Sequence, residues 1–151
     1  MRHFNCASPV SRMFRAAAVC LPVLSGSSSV DAKSCGKRDA EAALKALAAI
    51  DSWGQLHAYY SRFGVCDDGG PADDITERVV RLILGRWSDV SALASESKGD
   101  AGFLQFVLSH IDSTADTDDL SKIRDLATRE CPSDQTALCG KVRGAAKKAL
   151  K

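Results

Sequence analysis

Residues 73–87, DDITERVVRLILGRW, carry the pattern that decides the fold, with apolar side chains recurring every three or four positions. This spacing places them along one face of an α-helix, which can then be buried against a core. The members of this stripe are Ile75, Val79, Leu82 and Ile83. Because aspartate is favoured at helix N-termini, we expect Asp73 or Asp74 to cap a helix that runs to about Trp87.

The same helical periodicity recurs on both sides of this stretch, and no segment alternates like a strand rich in β-branched residues. Further helices are predicted at residues 38–50, 53–63, 89–95, 101–111, 117–130 and 134–150. No apolar heptad persists for three repeats, and no motif recurs at a fixed period. The sequence therefore predicts an all-α fold, a compact irregular or orthogonal bundle of six to seven short helices, with a helix-pair solenoid as the alternative.

Helix starts and core positions can also be predicted from particular side chains. Ser52 begins a capping-box pattern, Asp100 stands where one later helix begins, and either Asp116 or Thr117 stands where another begins. Trp53 and Trp87 are expected in the core, because large aromatic side chains bury the most apolar surface. The first helix is expected to bury a stripe formed by Ala40, Leu44, Leu47 and Ile50.

Residues 1–32 have the order of a secretory signal peptide. Basic residues ending at Arg15 precede an apolar run at residues 16–24, which is too short to span a bilayer as a helix. The residues before Lys33 fit a signal-peptidase site. We therefore expect a signal peptide over residues 1–32, a single helical domain over residues 33–151, and no membrane anchor after cleavage. Met13 is an alternative start, because it gives a more compact leader.

Four cysteines follow the predicted leader, namely Cys35, Cys66, Cys131 and Cys139. An even number in a short exported chain is typical of disulfides, and no two of these cysteines have the close spacing of a zinc site. Of the three pairings that four cysteines allow, we expect Cys35–Cys66 and Cys131–Cys139, since each joins sequence neighbours across a helix junction. In the chain-entropy model these bridges stabilise by about 3.5 and 2.5 kcal/mol, respectively.

The charge of the domain is nearly balanced. The predicted leader holds three of the 20 basic and one of the 19 acidic side chains, which leaves 17 basic and 18 acidic ones. This balance gives no support to nucleic-acid binding. Four acidic residues nevertheless lie close to Cys66: Asp67, Asp68, Asp73 and Asp74. This loop, constrained by a disulfide, is a candidate contact for a basic partner; a solvated turn with a helix cap is the simpler alternative.

No motif for catalysis or for a cofactor is found in the sequence. His57 lies near the acidic loop in sequence and could act as a general base, but no nucleophile accompanies it. His110 is expected to be a structural residue at a helix end. Residues 112–118 have the acidic spacing of a calcium loop, but Thr117 replaces its glycine and Ile123 its bidentate glutamate. We therefore predict neither an enzyme nor a metal or cofactor site.

These features favour a role in binding another protein. A small disulfide-closed helical domain has a preorganised surface that persists outside the cytoplasm. We expect a periplasmic or secreted inhibitor or immunity protein that neutralises a secreted toxin or cell-wall hydrolase. In export, size, helicity and disulfide use, the chain resembles the periplasmic immunity proteins that guard against type VI secretion amidases, without a shared motif. The alternatives are a structural or chaperone-like envelope protein and a small enzyme whose site residues come from separate helices.

Overall fold

The structure, a computed structural model, describes residues 34–67 and 70–151. This part of the chain contains seven α-helices and no strand, which confirms the all-α prediction. The helices are α1 (Lys37–Leu47), α2 (Trp53–Phe63), α3 (Ala72–Gly85), α4 (Val90–Ser97), α5 (Ala101–Ser109), α6 (Thr117–Arg129) and α7 (Thr136–Ala149). The predicted signal peptide at residues 1–32, the alternative start at Met13, and Asp68 lie outside the described residues.

Helix α3 is the segment with the clearest sequence pattern, and all four residues of its predicted stripe are buried. It packs against α1 and α6. The helix begins at Ala72, so Asp73 and Asp74 lie in its first turn and neither is the cap. The predicted cap is therefore wrong, because Pro71 already occupies the N-cap position. Carboxylates in a first turn are still favourable, since they face the positive end of the helix dipole.

The other helices complete one core around α3. Helix α2 contacts α1, α4 and α5, and α6 and α7 form the most extensive helix pair. Both tryptophans are buried as predicted, and Trp87 Nε1 donates a hydrogen bond of 2.8 Å to the carbonyl of Glu130. Within residues 34–67 and 70–151, no helix has the length and hydrophobicity required to cross a membrane.

Helix α1 departs from its predicted stripe. It ends at Leu47, and its buried residues are Ala43 and Leu47, whereas Leu44 is 41% exposed. Ile50 is buried as predicted, but it follows the helix. Alanines occupy several faces of this helix, so the hydrophobic pattern alone does not identify which face is buried.

Predicted caps are confirmed at three helix starts. The Oγ of Ser52 accepts a hydrogen bond from the backbone N–H of Gln55 at 3.4 Å. Asp100 accepts one from the N–H of Phe103 at 3.0 Å, and Asp116 caps α6 in the same way. These bonds satisfy N–H groups that have no partner inside the helix.

The two disulfides join the predicted partners. Cys35–Cys66 connects the segment before α1 with the 3₁₀ turn Gly64–Cys66 that follows α2, across Cα atoms 4.9 Å apart. Cys131–Cys139 connects the end of α6 with α7, across Cα atoms 6.0 Å apart. One bridge therefore closes the α1–α2 hairpin, and the other fixes the junction between α6 and α7.

Candidate functional site

His57, on α2, lies between two carboxylates from other elements. Its Nδ1 is 2.8 Å from Oε2 of Glu96, near the end of α4, and its Nε2 is 3.2 Å from Oδ2 of Asp100, the N-cap of α5. The imidazole also stacks on the ring of Phe103, with centroids 4.5 Å apart. The histidine side chain is 25% exposed and the two carboxylates are about one third exposed. This histidine cluster therefore links α2 to the turn between α4 and α5 at a partly solvated position.

The two carboxylates favour the protonated form of His57. Its pKa is raised above the ordinary value of 6.5, first by the hydrogen bond to Glu96 and then by that to Asp100, against the opposing effect of burial. The pKa of Asp100 is lowered, first by the backbone N–H of Phe103 and then by His57. When protonated, the imidazolium donates both N–H groups, one to each carboxylate.

This arrangement is suited to charge pairing rather than to binding a metal. Within the described residues, no group of three or more His, Cys, Asp or Glu side chains could hold a metal ion. The two nitrogens of an imidazole ring point in diverging directions, so the carboxylates at His57 cannot converge with it on one ion. The sequence placed His57 close to the acidic loop, but the structure places Glu96 and Asp100 beside it.

His110, at the end of α5, forms a second and more deeply buried cluster. Its Nδ1 is 3.0 Å from Oγ1 of Thr76 on α3, and its Nε2 is 2.8 Å from Oδ1 of Asp67. The second contact is close but lacks the alignment of a hydrogen bond. A hydroxyl, an imidazole and a carboxylate in this order resemble a nucleophile with its base. However, Thr76 and His110 are only 4% and 5% exposed, so a substrate could not reach the hydroxyl. His110 is therefore a buried residue at the end of α5.

Three residues of the predicted acidic loop are described, and we call Asp67, Asp73 and Asp74 the acidic corner. Asp67 follows the disulfide-bonded Cys66 and turns one oxygen toward His110, with its side chain 34% exposed. Asp73 and Asp74 are exposed in the first turn of α3. Tyr59 lies close by: burial, with the charges of Asp67 and Asp74 adding to it, raises its pKa to about 12. The corner is thus fixed from inside while two of its carboxylates face solvent.

The acidic run at residues 112–118 caps and orders the start of α6. One oxygen of Asp112 accepts hydrogen bonds from the backbone N–H and the hydroxyl of Thr114, at 2.8 and 2.7 Å. One oxygen of Asp116 accepts from the N–H groups of Asp118 and Asp119. These bonds match the capping explanation of the pattern.

Sequence reasoning missed the partners of both histidines. Glu96 and Asp100 lie 39 and 43 positions from His57, and Thr76 lies 34 positions from His110. Such pairs depend on how helices pack and leave no local spacing signal. The one usable sign was that Glu96 and Asp100 flank a single turn, so that both carboxylates could face one neighbouring helix.

Comparison with protein-family models, curated proteins and solved structures gives no match for this chain. Its function must therefore be inferred from its own residues and their geometry.

Proposed function

We propose that this chain is exported to the periplasm or secreted, and there binds another protein as an inhibitor or immunity protein. The partner is a secreted toxin or a cell-wall hydrolase with a basic surface. The two disulfides support this compartment, because such bonds form and persist in oxidising surroundings.

The observation that carries the proposal is the way in which the acidic corner is held. The Cys35–Cys66 bond constrains it covalently, and buried His110 lies 2.8 Å from Asp67 on its inner side. Asp73 and Asp74 then present their charges from a fixed helix turn. A surface that is already ordered loses less entropy on binding, and its negative charge steers a basic partner toward it.

The test is to co-express the full chain with the secreted protein encoded beside it. We expect a complex on size-exclusion chromatography of the exported fraction, and survival of a host that the partner alone would kill. Asp73→Asn with Asp74→Asn should weaken the complex by about tenfold, because both removed charges are exposed at the contact.

A matched control is available in α6, where Asp118 and Asp119 also lie in a first turn. Asp118→Asn with Asp119→Asn removes the same net charge from the same part of a helix at a different surface, together with the Asp119–Lys122 ion pair. Equal weakening by both double variants would contradict a specific contact at the acidic corner. If no adjacent secreted protein gives a complex or protection, the inhibitor proposal is wrong.

A further inference from the structure

A second surface, between α5 and α7, has the opposite charge to that of the acidic corner. It is a cleft of about 680 Å³ whose α5 side includes Leu108 and whose α7 side includes Gly144, Ala145 and Ala149. By comparison, the apolar cleft between α1 and α2 has a volume of about 280 Å³. The larger cleft lies in the size range of ligand-binding pockets in general.

Small residues on α7 create this space. A Cβ atom built at Gly144 would meet no atom within 4 Å. Glycine in a helix interior is unfavourable relative to alanine, so this position loses helix stability without a packing reason. Gly140, on the same helix but outside the cleft, is equally open, so the cleft is distinguished by the residues that line it and not by glycine alone.

Three lysines line the cleft, namely Lys141, Lys148 and Lys151, against one acidic side chain, that of Asp112. None of these lysines forms an ion pair with a side chain in residues 34–67 or 70–151. Cations near a helix C-terminus complement its dipole, which accounts for Lys148. Lys141 lies well before the last turn of α7. The helix dipole acts mainly within the last turn, so it does not account for Lys141.

The spacing of these charges indicates the form of the ligand. Lys141 and Lys148 are seven positions apart, which corresponds to about 10 Å along an α-helix. A ligand with one anionic group would pair with only one end of the cleft. An extended peptide of about four residues spans the same distance and can carry a carboxylate at each end. Its aliphatic stems would pack on the apolar floor.

We infer that the cleft between α5 and α7 binds an extended acidic segment of a partner protein. This inference rests on the proposed protein-binding function and adds the chemistry of a second contact. The lysines supply charge complementarity, and the small residues of α7 let the peptide backbone approach the helix.

The direct test uses the full chain and a fluorescein-labelled hexaglutamate peptide, with binding followed by fluorescence anisotropy. We expect binding that weakens as salt is added, and none to the matching hexaglutamine peptide. Reversing the charges with K141E/K148E/K151E should weaken binding by at least about tenfold. The control K37E/K45E/K98E changes the net charge equally at exposed lysines outside the cleft and should change binding by less than about twofold. Equal loss in both variants would overturn the inference.

A second pair of variants tests the space without changing charge. Gly144→Met fills the cleft, whereas Gly140→Met places the same flexible side chain on the same helix outside it. Both substitutions raise helix propensity, so both proteins should fold. We expect weaker hexaglutamate binding for G144M alone. Unchanged binding by G144M would show that the peptide does not occupy the cleft. Dodecanoate serves as a second probe: if it binds more tightly than hexaglutamate, the cleft binds amphiphilic anions and the inference is wrong.

The failure of this inference can be told apart from failure of the proposed function. If K141E/K148E/K151E still binds and neutralises the partner as the unchanged chain does, the cleft is not a contact, while the inhibitor function stands. If hexaglutamate binds the cleft but no adjacent secreted protein forms a complex, the inhibitor function is wrong.

Discussion

The acidic corner and the turn that joins α4 to α5 each contact a histidine with two polar partners, yet the two histidines differ in burial. Beside the acidic corner, His110 is almost fully buried, its partner Thr76 is buried as well, and a disulfide at Cys66 adds a covalent link. At the α4–α5 turn, His57 and its two carboxylates are all partly exposed.

The difference teaches that similar contacts contribute unequally in the two places. A buried polar group that loses its partner keeps its full desolvation cost, so the loss of either contact of His110 should destabilise the fold. The charged groups of an exposed ion pair can interact with water when the pair breaks, so such a pair contributes little to the free energy of unfolding. The acidic corner should therefore be rigid, and the α4–α5 turn should be weakly held and sensitive to pH.

Removing the Cys35–Cys66 disulfide should have the largest effect. The double variant C35A/C66A leaves the corner held by His110 alone, which brings it closer to the α4–α5 turn. We expect the free energy of unfolding to fall by about 3.5 kcal/mol, because the bond closes a long loop, and urea denaturation measures this. Hydrogen exchange at the amide of Asp67 should become faster.

The control is C131A/C139A, which opens a loop with a sequence separation of 8 instead of 31. It should lower the free energy of unfolding by about 2.5 kcal/mol and leave exchange at Asp67 unchanged. Faster exchange at Asp67 in this control would mean that the corner is not held locally.

Local patterns and long-range contacts differ in how far the sequence could predict them. The stripe of α3 and the caps at Ser52, Asp100 and Asp116 depend on residues within one or two turns, and each was predictable. The disulfide pairing was also predicted, because each bridge joins neighbouring elements. The predicted stripe of α1 was partly wrong, because alanines on several faces of this helix obscure which face is buried. The predicted cap of α3 was wrong, because Pro71 occupies the N-cap position.

The surroundings of the candidate sites could not be predicted in the same way. Glu96 and His57 meet only because α2 packs against α4, and Asp67 meets His110 only because α5 ends beside the corner. The lysine-lined cleft likewise combines residues of α5 and α7. Each of these pairings requires the tertiary arrangement, which a local pattern does not encode.

Among the variants at the acidic corner and the α4–α5 turn, the replacement of His110 should have the second-largest effect. His110→Leu removes both polar contacts and leaves the hydroxyl of Thr76 and one oxygen of Asp67 without a partner. We expect the free energy of unfolding to fall by about 2–3 kcal/mol, against about 1 kcal/mol for Thr76→Val. In the double variant H110L/T76V the buried hydroxyl is gone as well, so its cost should be smaller than the sum of the two single costs. Additive costs would show that the two side chains are not coupled.

Replacing His57 should have the smallest effect and a distinct pH dependence. His57→Gln keeps a polar side chain but cannot carry a charge, and exposure limits the loss to about 1 kcal/mol or less. Because folding raises the pKa of His57, its stabilisation is complete below 6.5, the ordinary value, and is lost as the pH rises through the folded pKa. The lowered pKa of Asp100 has the opposite sense: its contribution is present above 3.8 and is lost as the pH falls through its folded pKa.

The difference in stability between the unchanged chain and H57Q should therefore be greatest between these two ordinary values and should shrink toward alkaline pH. Urea denaturation at about pH 5 and about pH 9 measures it. Glu96→Gln is the matched variant, because it keeps the imidazole and removes the partner that contributes most to its raised pKa. In an NMR titration, E96Q should lower the pKa of His57. If H57Q loses the same stability at both pH values, then His57 is held by its stacking on Phe103 and not by its charge, and the pH sensitivity that distinguishes this turn from the acidic corner disappears.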